Sequence, residues 1–236
     1  MKDNKLFVPA AIVLAGLLIS GAVIYSLGGG FGLKTGSEIA AVAKTGSSDS
    51  DIEPASDDDH VLGNLSAPIK IIEYSDAECP FCKQFHQVMH QVVTDYDGQV
   101  AWIYRHFPLP QIHPKAVQEA EATECAAELG GNDAFWAYLD RIFEITPSNN
   151  GLDLALLPKI AEYIGLDKNE FQKCLDERRH AQRVADNYND AVESGGRGTP
   201  YSIIIAPDGQ RTTIPGALPY SSIKTVVDTI LGQKSE

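Results

Sequence analysis

The sequence predicts an α/β fold in which a strand-helix-strand unit is followed by a helical segment and then by two strands and a helix. The first observation is a pair of apolar, strand-like runs, residues 69–74 and 100–107, that flank an amphipathic helical pattern. The second is a helical period that continues from about residue 115 to residue 194. The third is a return to strand-like runs around a Pro-Asp-Gly turn at residues 207–209, before a last amphipathic helix.

The strand-helix-strand unit has the pattern of two buried parallel strands joined by a helix. The run at residues 69–74 has the apolar character of a strand that is covered on both faces. Gly98 ends the helix, and a crossover of this length makes the two strands parallel. One helical face is predicted to lie in the core, because its apolar side chains recur at spacings of three and four: Phe81, Phe85, Val88, Met89, Val92, Val93 and Tyr96.

The later elements are placed by breaks in the helical pattern. Three prolines at positions 108, 110 and 114 end the first unit, and glycines and a proline interrupt the helical period at residues 130–131 and 147–151. These features predict an all-helical insertion over about residues 109–196. Strands are predicted at residues 201–206 and 211–215, and a closing helix at residues 220–231.

The bulk composition limits the class of protein. A chain of 236 residues with 44% hydrophobic residues can bury one sizeable core. The formal net charge of -13 argues against a nucleic-acid partner, because phosphate binding needs a surplus of lysine and arginine. Four cysteines are too few for a disulfide scaffold but suit two bridges in an oxidising compartment.

The N-terminus predicts attachment to a membrane. Residues 6–27 carry no charge, and a helix of this length matches a bilayer core of about 30 Å. Lys2 and Lys5 precede the run, which favours a cytoplasmic N-terminus of residues 1–5 and an anchor over residues 6–28. The alternatives are a cleaved signal peptide, whose only A-x-A site lies far beyond the run at residues 41–43, and a buried soluble helix.

A flexible acidic linker is predicted over residues 29–60, where glycine, serine, alanine and acidic residues replace the apolar period. The folded domain is then expected over residues 61–236.

The chemistry of the chain is predicted by Cys79 and Cys82, which form a C-x-x-C motif where a strand gives way to a helix. The first cysteine of such a motif lies at a helix N-terminus, where unpaired N–H groups and the helix dipole favour a thiolate. A zinc site is the rival interpretation. His86 and His90 follow at helical spacing, but their stripe lies opposite Phe85 and is predicted to face solvent.

Cys125 and Cys174 lie on two different predicted helices of the insertion. A bridge between them would close a loop of about 50 residues and stabilise the fold by about 4 kcal/mol in the chain-entropy account. A structural disulfide is the favoured interpretation, and two unpaired buried thiols are the alternative.

In this order, the motifs resemble the DsbA family of the thioredoxin superfamily over about residues 61–232. The resemblance implies a thioredoxin-like fold with an all-helical insertion, and the family's membrane-tethered members resemble the anchor and linker. Besides the C-P-F-C motif, the matching pieces are residues 63–68, Glu73-Tyr74-Ser75-Asp76, Arg105-His106-Phe107-Pro108-Leu109, His113-Pro114, Phe135-Trp136 and Gly198-Thr199-Pro200.

The resemblance implies roles for the site residues. Cys79 matches the nucleophile and Cys82 the resolving cysteine. Thr199 and Pro200 match a threonine and a cis proline that face the active disulfide, and we expect them to contact substrate together with Pro80 and Phe81. Glu73 matches an acid beneath the site, where a buried carboxyl could pass a proton to the resolving thiol; an ordinary strand carboxylate is the alternative. His106 and His113 are expected to be structural.

Phe81 departs from the family pattern, because the strong oxidases of the family have a histidine in this place. Without that cationic or donor group, we expect a less stabilised Cys79 thiolate and a less oxidising disulfide.

The sequence therefore predicts an oxidoreductase at the bacterial inner membrane, with its catalytic domain in the periplasm, that oxidises cysteine pairs of exported proteins. The resemblance implies reoxidation by a quinone-linked membrane protein of the DsbB or VKOR type, and neither a cofactor nor a metal is predicted. The alternatives are a reductase or isomerase kept reduced by a membrane donor, and a tethered peptide-binding module or chaperone without catalysis.

Overall fold

A five-stranded mixed sheet with the strand order β1-β3-β2-β4-β5 organises the chain. A computed structural model of the protein describes residues 52–232. The strands are β1 (His60–Leu62), β2 (Ile69–Ser75), β3 (Val100–His106), β4 (Tyr201–Ile205) and β5 (Arg211–Pro215). The helices are α1 (Pro80–Asp95), α2 (Ala116–Ile145), α3 (Leu157–Tyr163), α4 (Lys168–Asp176), α5 (Ala181–Glu193) and α6 (Tyr220–Gly232), with one turn of 3-10 helix at Leu154–Leu156.

The predicted strand-helix-strand unit is confirmed. β2 and β3 are parallel, with Ile69 opposite Val100 and Ser75 opposite His106, and both strands are almost wholly buried. Gly98 turns the chain after α1 with a positive φ of 70°. The carboxyl ends of β2 and β3 therefore lie side by side, at the edge where open α/β sheets place their sites.

The second unit brings a distant segment to that same edge. β4 is antiparallel to β2, with Tyr201 opposite Tyr74, so the residues just before β4 lie beside the carboxyl end of β2. β5 completes the predicted hairpin with β4. α6 packs with α1 against one face of the sheet, in a core cluster that includes Phe85, Ile223 and Val227.

The insertion between β3 and β4 is helical, as predicted. The break expected at residues 130–131 is a kink within α2, where Gly131 has φ 72° and ψ -165°. α2, α3 and α4 enclose a second apolar cluster, and a disulfide between Cys125 and Cys174 joins α2 to α4 inside it. Their Cα atoms lie 5.9 Å apart.

The packed chain begins earlier than the predicted boundary near residue 61. Ile52 is buried against the sheet face opposite α1 and α6. Arg105 holds the following segment, donating to the backbone oxygens of Glu53 and Pro54 and to the carboxylate of Asp59. The acidic composition predicts a solvated linker up to residue 60. Asp59 instead pairs with the buried guanidinium of Arg105, and nothing in the sequence around Asp59 indicates this pairing.

Two side chains of α1 differ from their predicted environments. Phe81, which the helical period predicts on the core face, is 58% exposed, because the first turn of α1 lies beyond the edge of the sheet. His86, which the period predicts on a solvent-facing stripe, is only 1% exposed, because α2 covers that side of α1. Helical periodicity identifies the face toward the sheet but carries no information about a second covering helix.

The predicted anchor at residues 6–28 lies outside the described residues, as does the linker up to residue 51. Within residues 52–232, every helix is too short or too polar to cross a bilayer.

We predict that Arg105→Ala destabilises the domain by about 3–5 kcal/mol, because it leaves the buried carboxylates of Asp59 and Asp190 without their cation. The measurement is the free energy of unfolding in urea. Lys168→Ala is the control, since its pairing with Glu162 is at the surface and should be worth less than about 1 kcal/mol. Equal effects of the two substitutions would contradict a structural role for the Arg105 network.

Candidate active site

Cys79 occupies the N-cap of α1, at the carboxyl edge of the sheet. Its φ and ψ of -77° and 122° are extended, and its backbone oxygen accepts the first helical hydrogen bond from Lys83 N at 3.1 Å. Pro80 at the first helical position has no N–H to leave unpaired. Cys79 is 4% exposed, Cys82 one turn later is fully buried, and both are free thiols.

The two thiols differ in acidity. A hydrogen bond from the Cys82 thiol, together with the Thr199 side chain and the backbone N–H groups of Cys82 and Phe81, lowers the pKa of Cys79 from 9.0 to about 6 against the opposing effect of burial. Burial raises the pKa of Cys82 well above 9.0, and the charge on Cys79 raises it further. Near neutral pH the pair therefore carries one negative charge, on Cys79.

The peptide bond between Thr199 and Pro200 is cis, as the resemblance implied, and it faces the nucleophile. Cys79 Sγ lies 3.4 Å from the backbone oxygen of Thr199. Thr199 and Pro200 also line an open depression of about 350 Å³ beside the site, together with Arg197, Tyr201 and Pro215. Backbone and apolar surface thus border the reactive sulfur on this side.

Glu73 is buried beneath the dithiol. It lies on β2 opposite Tyr104 of β3, and neither carboxyl oxygen has a hydrogen-bond partner among the described residues. Burial raises the pKa of Glu73 from 4.5 to about 8. The polar side chains of Ser75 and Trp102 lower this pKa and so oppose part of the rise. Because ionised Glu73 would also raise the pKa of Cys82, the two groups are close enough to affect each other's protonation.

Asp76 organises the loop between β2 and α1, a role that the sequence analysis missed. Its carboxylate accepts hydrogen bonds from the backbone N–H groups of Glu78 and Leu109 and lies 2.9 Å from Nδ1 of His113. Its own backbone N–H points at Cys82 Sγ over 3.5 Å. His113, expected to be structural, therefore helps to fix the loop that carries the cysteines.

A buried pair of carboxyl groups lies on the other side of this loop. Glu78, directly before Cys79, and Glu119 of α2 are both buried, and neither carboxyl oxygen of Glu119 has a hydrogen-bond partner among the described residues. Burial, followed by the proximity and the charge of Glu78, raises the pKa of Glu119 well above its usual range. A neutral Glu119 avoids the repulsion that two negative charges would meet here.

The structure thus brings Cys79, Cys82, Thr199, Pro200 and Glu73 together, whereas the Cys125 to Cys174 disulfide lies apart in the insertion. Phe81 lies at the surface of the same helix turn.

Asp76 and Glu78 could have been suspected from their position just before the motif, but Glu119 offered no signal, because only folding brings it to the loop. Among residues 52–232, the groups of three possible metal ligands do not include Cys79 or Cys82.

Comparison with known proteins agrees with this geometry. The sequence model of a family described as thioredoxin matches residues 55–228. The crystal structure of DsbA2 from Pseudomonas aeruginosa is 26% identical, with a TM-score of 0.64, and the match covers 78% of this chain and 99% of that one. Oxidised BdbD from Bacillus subtilis shares the fold, with 21% identity, a TM-score of 0.65 and coverage of 74% and 93%.

The relatives found by sequence similarity are named as Na(+)/H(+) antiporters. A Na(+)/H(+) antiporter NhaA 3 of Salinispora tropica is 38% identical over 144 residues, which is 61% of this chain and 21% of that protein. A Na(+)/H(+) antiporter NhaA 1 of Mycolicibacterium vanbaalenii is 32% identical over 142 residues, or 60% and 21%. The chain therefore spans about a fifth of the length of these relatives.

We predict that Glu119→Gln stabilises the protein increasingly as the pH rises above about 4.5. In the fold the pKa of this carboxyl is raised, so its contribution to stability is fully present below the ordinary pKa of 4.5 and is lost as the pH rises toward the folded-state value. Glutamine keeps a neutral hydrogen-bonding group and removes that loss. At pH 8 we expect a gain of at least about 1 kcal/mol in the free energy of unfolding.

The control for this experiment is Glu162→Gln, whose carboxylate is exposed. A stability curve for Glu119→Gln that parallels the wild type from pH 4 to pH 8 would contradict the raised pKa of Glu119.

Proposed function

The chain belongs to the thioredoxin family, and we propose that it is a thiol:disulfide oxidoreductase that acts outside the cytoplasm as an oxidase of cysteine pairs in exported proteins. The observation that carries this direction is the position of Cys79 at the N-cap of α1, one turn from a fully buried Cys82, which lowers the pKa of Cys79 to about 6 and raises that of Cys82. The DsbA-like fold and the cis proline beside Cys79 support the same chemistry.

The reaction begins with the Cys79 to Cys82 disulfide. A substrate thiolate attacks Cys79 Sγ, forming a mixed disulfide and releasing Cys82 as a thiolate. Cys82 then takes a proton, because its pKa is high, and Glu73 is placed to give that proton directly or through one water. A second substrate thiolate attacks the substrate sulfur and releases Cys79. The substrate gains a disulfide, and both enzyme cysteines end reduced.

The low pKa of Cys79 favours the oxidase direction. A thiolate that is stabilised in the reduced enzyme makes reduction of the enzyme more favourable, and it makes Cys79 a better leaving group. The expectation from Phe81 was a weaker oxidant. The hydrogen bonds from the Cys82 thiol and from the backbone N–H groups of Phe81 and Cys82 supply stabilisation that does not depend on a histidine at that position.

An extended substrate segment fits beside the nucleophile. The Thr199 backbone oxygen faces Cys79, and Thr199 Oγ1 is buried nearby. The exposed ring of Phe81, two residues after Cys79, offers an apolar contact at the surface. Backbone pairing with an apolar contact suits unfolded chains of varied sequence, so the proposed substrates are reduced, unfolded exported proteins.

The proposed location is the bacterial inner membrane, with the catalytic domain in the periplasm. The uncharged run at residues 6–27 supports a single-pass anchor. The disulfide between Cys125 and Cys174 supports an oxidising compartment. Because each cycle leaves the active cysteines reduced, the proposal includes a quinone-linked membrane partner of the DsbB or VKOR type that restores the disulfide.

A reductase or isomerase is the second candidate, and the absence of a histidine at position 81 favours it. The redox potential separates the two candidates. We predict a potential above about -200 mV for the full chain in detergent, with a thiolate absorbance that titrates near pH 6. A potential close to about -270 mV, that of thioredoxin, would overturn the oxidase proposal.

We predict that Glu73→Gln slows formation of the mixed disulfide about 100-fold, because the amide cannot give a proton to the leaving Cys82. In the wild type the rate divided by the concentration of substrate thiolate should also fall with rising pH as Glu73 ionises, and this inflection should vanish in the variant. The measurement is the stopped-flow reaction of the oxidised protein with a dithiol peptide. The surface variant Glu162→Gln is the control, and an unchanged pH profile in Glu73→Gln would assign Glu73 a purely structural role.

A further inference from the structure

Three metal-ligating side chains converge where α1 meets α2, away from the cysteines. Nε2 of His86 lies 2.6 Å from Oδ1 of Asp140, and Nε2 of His90 lies 2.9 Å from the same oxygen. The two ring nitrogens are 3.1 Å apart. His86 and His90 are separated by four residues on α1, so both rings project from one side of that helix toward α2.

The cluster is rigid on one side and open on the other. His86 is held by aromatic rings, with centroids 4.7 Å from Phe143 and 5.2 Å from Trp102. The side chains of His90 and Asp140 are 32% and 48% exposed. A ligand at the point of convergence would therefore meet a fixed imidazole, two side chains that can adjust, and solvent.

The geometry of the cluster suits a cation. Two imidazole nitrogens and one carboxylate oxygen lie 2.6, 2.9 and 3.1 Å from one another. Each of the three atoms can direct a lone pair at the point where they converge, and a single cation there would accept all three.

A second cluster of two histidines and one carboxylate already contains a positively charged side chain. His60 and His106 lie 2.8 and 2.9 Å from one oxygen of Glu124, and the guanidinium of Arg183 lies 2.8 Å from the other. The cation is already present there as Arg183. No lysine or arginine forms an ion pair with Asp140 among the described residues.

We propose that His86, His90 and Asp140 bind one Zn²⁺ ion, with water as the fourth ligand on the exposed side. Two imidazoles and one carboxylate are a ligand set that zinc accepts in tetrahedral geometry. Metal distances of about 2.0–2.1 Å place tetrahedral ligands about 3.3 Å apart, so the three pairs of atoms need to separate by about 0.2 to 0.7 Å. The exposed His90 and Asp140 can make that movement. The ion would fasten the helix that carries Cys79 and Cys82 to the helical insertion, independently of the proposed oxidase function.

Moderate affinity is expected. Metal-bound histidines usually donate their other N–H to a fixed acceptor, and loss of such a partner typically weakens binding about 10–100-fold. Nδ1 of His86 is buried and has no partner among the described residues. We therefore expect zinc affinity in the micromolar range.

The test is calorimetric titration of the full chain in detergent with ZnCl₂, after oxidation of Cys79 and Cys82 so that no active-site thiolate can compete. We expect one equivalent of zinc, and a rise in melting temperature in its presence. His90→Ala and Asp140→Asn should each weaken binding at least tenfold and abolish the rise. Both side chains are partly exposed, so these variants should fold, which circular dichroism without zinc will check.

His180→Ala is the matched control, because His180 is also a partly exposed histidine paired with a carboxylate, that of Glu128. Titration with Co²⁺ adds a spectroscopic signature, since nitrogen and oxygen ligands give visible bands without the near-ultraviolet charge transfer of thiolates. Equal binding by wild type and His90→Ala, binding only after reduction of the active-site disulfide, or no binding at all would overturn the proposal.

Discussion

Only one of the two active-site sulfurs can carry a negative charge, and much of the local structure follows from this constraint. Cys82 is wholly enclosed by the core between α1 and the sheet, so its thiolate would be desolvated. Its proton instead stabilises the anion on Cys79, which has the helix N-terminus and backbone N–H groups around it. Burial of one sulfur and activation of the other are thus the same physical effect. An exposed second cysteine would weaken the contrast on which directional disulfide exchange depends.

The sheet register supplies the other half of the site. The antiparallel pairing of β4 with β2 sets Tyr201 beside Tyr74, and the chain entering β4 must then pass over the carboxyl end of β2. Thr199 and Pro200 face Cys79 for that reason, although 120 residues separate Thr199 from the nucleophile. A slip of one residue in this pairing would turn the inward side chains of β4 outward and move the Thr199 carbonyl away from the sulfur.

The sequence allowed the elements to be predicted because each has a strong local pattern. The strands around the motif, the hairpin and the closing helix all follow from periodicity and turn residues, and the motif identifies the chemistry. The predictions that failed share one cause. They concern charged pairs and helix faces whose partners are distant in the sequence and meet only in the folded chain. Asp59 pairs with Arg105, Glu119 meets Glu78, and α2 covers His86, all across long stretches of sequence. The periodicity of a single helix or strand cannot predict such long-range contacts.

The acids around Cys79 pose an apparent conflict, because negative charge nearby opposes a thiolate. Glu73 and Glu119 avoid that conflict by being buried, which raises the pKa of both and keeps them neutral near pH 7. The charge on Cys79 itself adds to the rise at Glu73. A neutral Glu73 beneath the dithiol can hold a proton without weakening the nucleophile, whereas an ionised carboxylate there would repel the thiolate. Burial of these acids reduces stability at neutral pH, and it is this burial that allows a proton donor and a stable thiolate to exist side by side.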